Sequence, residues 1–144
     1  MTYIRNFSFN EELSHSVISQ ICLAYLLQFK TSDILDINVE MSFPLVNYAA
    51  ENWISHTHSS GKYGSQSSIV FVLMMKLLTD ENAALLNWVR LCDIDYFALK
   101  NLQGQINDIA KPLYYASLAG LTEASYALLK LMADINAQIG RAHV

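Results

Sequence analysis

The sequence predicts an all-α chain, and three observations carry that reading. Apolar residues recur at helical spacing along several segments, most clearly Glu11–Phe29. Gly, Ser and Pro break the chain at intervals that leave helix-length pieces between them. No βαβ pattern is present, and no second segment offers itself as a strand partner.

Glu11–Phe29 is the first element. Ile18, Ile21, Cys22, Tyr25, Leu26 and Phe29 fall on one face, which Leu23 and Leu27 widen. Ser8 or Asn10 can cap its start, and Glu11 and Glu12 favour the first-turn dipole. Residues 31–42 show no sustained period and read as a connection with room for one short helical turn. Pro44 suits the first position of a second helix, where a missing N–H is harmless. Leu45, Tyr48, Ala49 and Trp53 then recur at helical spacing, and the helix should fade near His58.

Residues 59–65, Ser-Ser-Gly-Lys-Tyr-Gly-Ser, are the clearest loop. Ser67–Leu78 holds the longest apolar run, broken by Lys76 before Leu77-Leu78, and helix propensity with the lack of a partner strand favours helix. Asp80 can cap a fourth helix over Glu81–Leu91, with Ala84, Leu85, Trp88 and Leu91 as its stripe. Asp93–Asn107 reads as irregular, with Gly104 as a breaker.

Residues 111–138, KPLYYASLAGLTEASYALLKLMADINAQ, then describe a helical hairpin. Pro112 opens a short helix ending at Leu118, and Gly120 stops it by taking a left-handed backbone at little cost. A second helix, Thr122–Leu131, returns antiparallel. Ala116 and Ala119 are small where the two approach, Leu128 and Leu129 form the buried ridge, and Ala133–Ala137 leaves the helix as an extended turn. Pro112, Leu113, Ala116, Gly120, Leu128, Leu129, Ala133, Asp134, Asn136 and Ala137 stand at the offsets of an ankyrin repeat, which the segment resembles. Lys111, Tyr114 and Met132 depart from the family's Thr, His and Gly, as a terminal repeat would.

A second resemblance covers most of the chain. FSFNEELSHSVISQICLAYLLQF, FPLVNYAAENWISHTHSSG, NWVRLCDIDYFA and KPLYYASLAGL look like the segment that joins a NACHT module to the ankyrin array in large fungal signalling NTPases. The division this implies is 1–36 as the end of a winged-helix-like region, 37–107 as a helical connector, 108–138 as a single ankyrin-like repeat and 139–144 as a tail. The implied function is non-enzymatic: a protein–protein interaction scaffold, a fragment of such an NTPase lacking its nucleotide-binding module. Its partner would be a protein or further ankyrin repeats. The concave side of such a repeat points to Lys111, Tyr114, Tyr115, Leu118, Asp134 and Asn136 as partner-binding residues.

Composition narrows the other classes. The net charge is −4 without a Lys/Arg cluster, so the footprint of a nucleic-acid binder is missing. The longest apolar run, Ile69–Met75, falls well short of the ~18 residues that suggest a membrane span. The start lacks a signal-peptide pattern, and a cytoplasmic location is expected. Cys22 and Cys92 lie apart in apolar runs and read as buried thiols. At 53% hydrophobic and 15% charged, the chain has apolar surface that something outside it is expected to cover.

Chemistry is sparse. Gly61-Lys62 with Gly64-Ser65 lacks the spacing and preceding strand of a phosphate-binding loop. His56 and His58 sit at i, i+2, which suits joint metal ligation poorly on a helix, so no metal is assigned and the pair reads as surface histidines. Asp93 and Asp95 read as turn-capping groups. No cofactor, small-molecule substrate, nucleic acid or membrane is expected. The alternative is a hydrolase-type enzyme using His56 or His58 with Asp93 or Asp95.

Overall fold

The computed structural model describes residues 10–29, 35–79, 83–95 and 99–142, with side chains as far as Gly140. Within them the chain is all-helical. The α-helices are α1 Glu11–Leu27, α2 Val39–Ser42, α3 Val46–Ser59, α4 Ile69–Thr79, α5 Ala83–Leu91, α6 Pro112–Leu118 and α7 Thr122–Ala142. Short 3₁₀ turns occupy Gly61–Gly64 and Ile106–Asp108.

Asn10 is the residue that caps α1, its Oδ1 accepting from the Leu13 N–H at 3.1 Å. Ser8, the other candidate, lies outside the described residues, as do Asp80 and Glu81 at the expected start of α5. Pro44 sits in the turn before α3 instead of opening it, with Leu45 at the cap position. The apolar run from Ile69 is helical, as its propensity suggests.

α1 and α3 form the main antiparallel pair. Contacts step down one helix and up the other: Asn10 to Tyr63, His15 to His56, Ser19 to Thr57, and Tyr25 to the Leu45 N–H. Small residues let the two backbones approach. Ser16 and Ser19 are buried on α1, facing the helix that carries Ala49, Ala50 and Thr57. Thr57 Oγ1 donates to the Trp53 carbonyl at 2.7 Å, so the Ser19 hydroxyl must donate to Thr57, also at 2.7 Å.

The buried arc of α1 is therefore rotated from the one its aliphatic residues suggest. Ile21, expected in the core, is 54% exposed and shares an outward row with Leu13 and Val17. Cys22, Leu23 and Leu26 do reach the core. On α3, Ala49 and Trp53 are buried as expected, whereas Leu45 and Tyr48 face outward and Val46 and Ala50 take their place.

α5 lies at the centre. Its Ala84, Leu85, Trp88 and Leu91 stripe is buried as expected, and so are the four residues between them. A helix apolar on both sides of its stripe, here through Leu86 and Val89, is one enclosed by its neighbours. Enclosure takes Asn87 and Arg90 inside as well. Arg90 Nε donates to the Gly104 carbonyl at 2.7 Å and Nη1 to Asn87 Oδ1 at 2.9 Å, while Asn87 Nδ2 donates to the Phe29 carbonyl at 3.2 Å. The Asn101 N–H meets the Arg90 carbonyl at 2.7 Å. One arginine thus holds the irregular segment after α5 against the bundle.

The α6–α7 hairpin forms as its residues suggest. Pro112 is the first residue of α6, and Gly120 turns the chain with φ +70°. Leu121 then donates back to the Ala116 carbonyl at 2.9 Å, closing the helix end. A Cβ at 120 would rest in ordinary contact with the His58 ring, at 3.7 Å, but on a disfavoured backbone, so Gly120→Ala should lower stability by about 1–2 kcal/mol in a denaturant titration. A neutral result would show that the hairpin does not depend on the left-handed turn.

Two expectations for the hairpin are corrected. α7 does not stop at Leu131; it runs through Ala133–Ala137 and the expected tail to Ala142. With Met132 where a glycine would end the helix, nothing breaks it, and the alanines and long side chains beyond favour its continuation. Leu129 faces solvent, while Leu128 is buried with Leu121 and Ala124.

Candidate functional site

The residues expected to bind a partner do not share one surface. Tyr115 is 3% exposed: its ring packs edge-on to Trp88, and its hydroxyl accepts from the Ala110 N–H at 3.2 Å. Burial pushes its hydroxyl above the ordinary tyrosine range. It belongs to the core, on the side of α6 that docks, while Tyr114, 100° around the helix, falls outside that side. Tyr114 is the exposed member of the pair, donating to Asp95 Oδ1 at 2.9 Å. Lys111, Leu118, Asp134 and Asn136 are exposed, the last two on α7 instead of in an extended turn.

The residues of the enzyme alternative are engaged separately. His58 Nε2 lies 2.8 Å from the Ala119 carbonyl and must carry the proton there, tying α3 to the end of α6. His56 reaches Tyr48 and His15. Asp95 takes the Tyr114 hydroxyl, and Asp93 Oδ1 accepts from the Asp95 N–H at 3.0 Å, the turn-capping role expected of it.

The pairing of His56 with His15 was not visible in sequence, since 41 positions separate them. Their Nδ1 atoms lie 2.9 Å apart, and the ring centroids only 5.1 Å apart. Those two distances leave little beyond the ring radii, so the nitrogens face each other almost in line. That is the geometry of one shared proton, with one ring donating and the other accepting. Tyr48 Oη meets His56 Nε2 at 2.7 Å, and Glu11 lies 3.9 Å from His15 Nε2 on the far side.

Burial, then the His15 charge, holds His56 below the usual histidine range. Its neutral form is the one the folded chain favours. Stability from this group is therefore present above the unfolded pKa of about 6.5 and declines as pH falls below it. The denaturant midpoint should fall on acidification through that window, and His56→Asn should flatten the fall. An unchanged slope in the variant would place the acid sensitivity elsewhere.

An apolar recess lies on the other side of the hairpin. A cleft of about 640 Å³ opens between α7 and the segment that leads into α6. Leu78, Leu85, Ile109 and Leu113 line the body side; Leu128, Leu131, Met132 and Ile135 line the α7 side. Asn107, Lys111 and Tyr114 supply polar groups. The α7 wall repeats at helical spacing and continues past the cleft to Ile139, which is 51% exposed. The same stripe that packs Leu121, Ala124 and Leu128 against the bundle is therefore bare from Leu131 onward.

The fold and cleft define an all-helical bundle with an open apolar flank. Over 113 residues, 75% of its length, the chain is 34% identical to the azaphilone pigments biosynthesis cluster protein L of Monascus ruber. It spans 23% of that protein's length. No family model matches the chain, and no solved structure does. Among the described residues, no helix is long and apolar enough to cross a membrane.

Proposed function

We propose that the chain is a non-enzymatic protein–protein interaction module that docks a helical polypeptide along α7 and its cleft. The carrying observation is the stripe Leu131, Met132, Ile135 and Ile139, which continues the buried face of α7 beyond the bundle. A soluble surface seldom leaves such a row uncovered without use for it. Its helical period suits a partner that presents a helix face of its own, whether one helix or the next helix pair of an ankyrin-like stack. Lys111, Tyr114, Asp134 and Asn136 would frame that contact.

The Pro112 entry and left-handed Gly120 support the wider reading of this chain as part of an ankyrin-repeat signalling NTPase whose nucleotide-binding module lies elsewhere in the parent. The continuous α7 is a departure from that pattern. Cys22 and Cys92, both buried and free, suit action in the cytoplasm. Burial, reinforced by Glu51 and Asp93, pushes the Cys92 thiol up to about 11, which keeps it unreactive.

A second reading rests on the cleft alone. Its volume falls in the range of small-ligand sites, and the relative's name places that protein in a pigment biosynthesis cluster. An azaphilone-type or other apolar small molecule would then occupy it. Calorimetry separates the two. The first reading expects an amphipathic helical peptide to bind with a negative heat-capacity change and to lose binding in Ile139→Asp, a residue outside the cleft. An apolar aromatic probe that binds equally to wild type and Ile139→Asp, where the peptide binds neither, would transfer the function to the small molecule.

A further inference from the structure

We propose that Tyr48, His56, His15 and Glu11 form a directed hydrogen-bond chain, a pH-driven latch that reverses on taking up one proton and opens the α1–α3 seam on taking up a second. The proposal goes beyond the docking reading and rests on the contact between these two helices. With both histidines neutral, four ring nitrogens share two protons. His15 Nε2 faces the Glu11 carboxylate at 3.9 Å and carries one of them, since a bare nitrogen there would set its lone pair against a negative charge. His15 Nδ1 is then bare and accepts from His56 Nδ1–H across 2.9 Å. That leaves His56 Nε2 bare, and the Tyr48 hydroxyl donates to it at 2.7 Å. The distance agrees, being shorter than the about 2.9–3.0 Å usual where an uncharged N–H meets oxygen. The chain runs one way, from Tyr48 to Glu11.

One proton can be added without losing a contact. It enters from solvent at His56 Nε2, which changes from acceptor to donor as the exposed Tyr48 hydroxyl turns its own proton to water. The proton between the rings then crosses to His15 Nδ1. His56 has gained one proton and lost one, so it stays neutral, and the positive charge rests on His15 beside Glu11. Burial and the His15 charge both oppose a charge on His56, which agrees with that placement. A second proton has to go to His56 Nδ1. It would set two N–H groups and two positive charges head-on at the same 2.9 Å, so the rings must part. The two steps therefore belong to the pair and not to either ring.

Glu11 is the charge that touches the pair. Elsewhere on the packed elements, Glu12 lies against Gly61, Tyr63 Oη accepts from Asn10, and Lys62 sits over the Tyr63 ring. On α3, His58 is held by the Ala119 carbonyl and Glu51 bears on Cys92. Lys76 of α4 is exposed, and Arg90 of α5 is bonded to Gly104 and Asn87.

The test follows the ring nitrogens of the isotope-labelled whole chain by nuclear magnetic resonance, in an acid titration through about pH 6.5. Above that range His56 should be the Nδ1–H tautomer and His15 the Nε2–H tautomer. On acidification His56 should change to Nε2–H while still neutral, as His15 becomes charged. His58, whose Nε2–H is fixed by Ala119, serves as the reference that keeps its tautomer. Backbone amides of α1 around His15 should keep their hydrogen-exchange rate through the first step and exchange about tenfold faster after the second. Glu11→Gln, a change at an exposed side chain, removes the charge that sets the direction and should leave His56 in both tautomers above the titration. His56 as Nε2–H throughout would overturn the proposal. So would two rings that charge together at one pH, or a Glu11→Gln variant with wild-type tautomers.

Discussion

Arg90→Ala should destabilise the chain by about 3–5 kcal/mol, one of two large effects expected from its centre. Arg90 is 1% exposed and donates to the Gly104 carbonyl and to Asn87 Oδ1. Truncation leaves both acceptors buried without that donor, at about 1–3 kcal/mol each, and empties the space its stem fills. For a domain whose whole stability is about 5–15 kcal/mol, that is a large fraction. The effect should also be local. The segment around Asn101–Gly104 is held to α5 by this side chain and by the Asn101 N–H, so limited proteolysis should cut there first in the variant. Arg90→Lys keeps one cationic donor but not the planar fork, and should fall between the two. A denaturant midpoint for Arg90→Ala close to wild type would mean that solvent reaches the site.

Trp88→Ala should cost a similar ~3–5 kcal/mol, by a different route. Its ring is edge-on to Trp53 at 5.2 Å and to Tyr115 at 6.0 Å, and its Nε1–H donates to the Ala50 carbonyl at 3.0 Å. These contacts join α3, α5 and α6. Removing the ring opens a cavity and frees the hairpin from the body, so the near-ultraviolet circular dichroism should weaken along with the melting temperature. Trp88→Phe retains most of the packing and leaves the Ala50 carbonyl without this donor, at about 1–3 kcal/mol. Equal losses in the two variants would show that the hydrogen bond, and not the ring's volume, carries the effect.

Much of the fold was readable because it follows from local chemistry. The helical period of α1, the Asn10 cap, the Trp88 stripe and the Gly120 turn each depend on residues within one or two turns of one another. Errors arose where tertiary packing decided between locally equivalent choices. Ile21 and Ser19 lie on opposite sides of α1, and it is the serine side, bonded to Thr57, that turns toward α3. Tyr114 and Tyr115 are neighbours of one kind, and only the position of Trp88 decides which is core. Arg90 and Asn87 look like surface residues until α5 is enclosed on all sides.

The candidate site was half readable for the same reason. Tyr114, Lys111 and the α7 polar residues are exposed where a partner would need them. The stripe itself was hidden by the expectation that Ala133–Ala137 leaves the helix. A helix that continues past Met132 converts those residues from a turn into the flank of an apolar row. The His15–His56 contact, made across two helices, had no local signal.

Everything functional here depends on one row of aliphatic side chains being the side of α7 that another polypeptide covers. Spin labels at Ile135, in that row, and at Ala137, on the opposite side, read this directly as an amphipathic helical peptide is added. Slowed motion at 135 with 137 unchanged is the outcome the account requires. Equal slowing at both, or none at either, would contradict it.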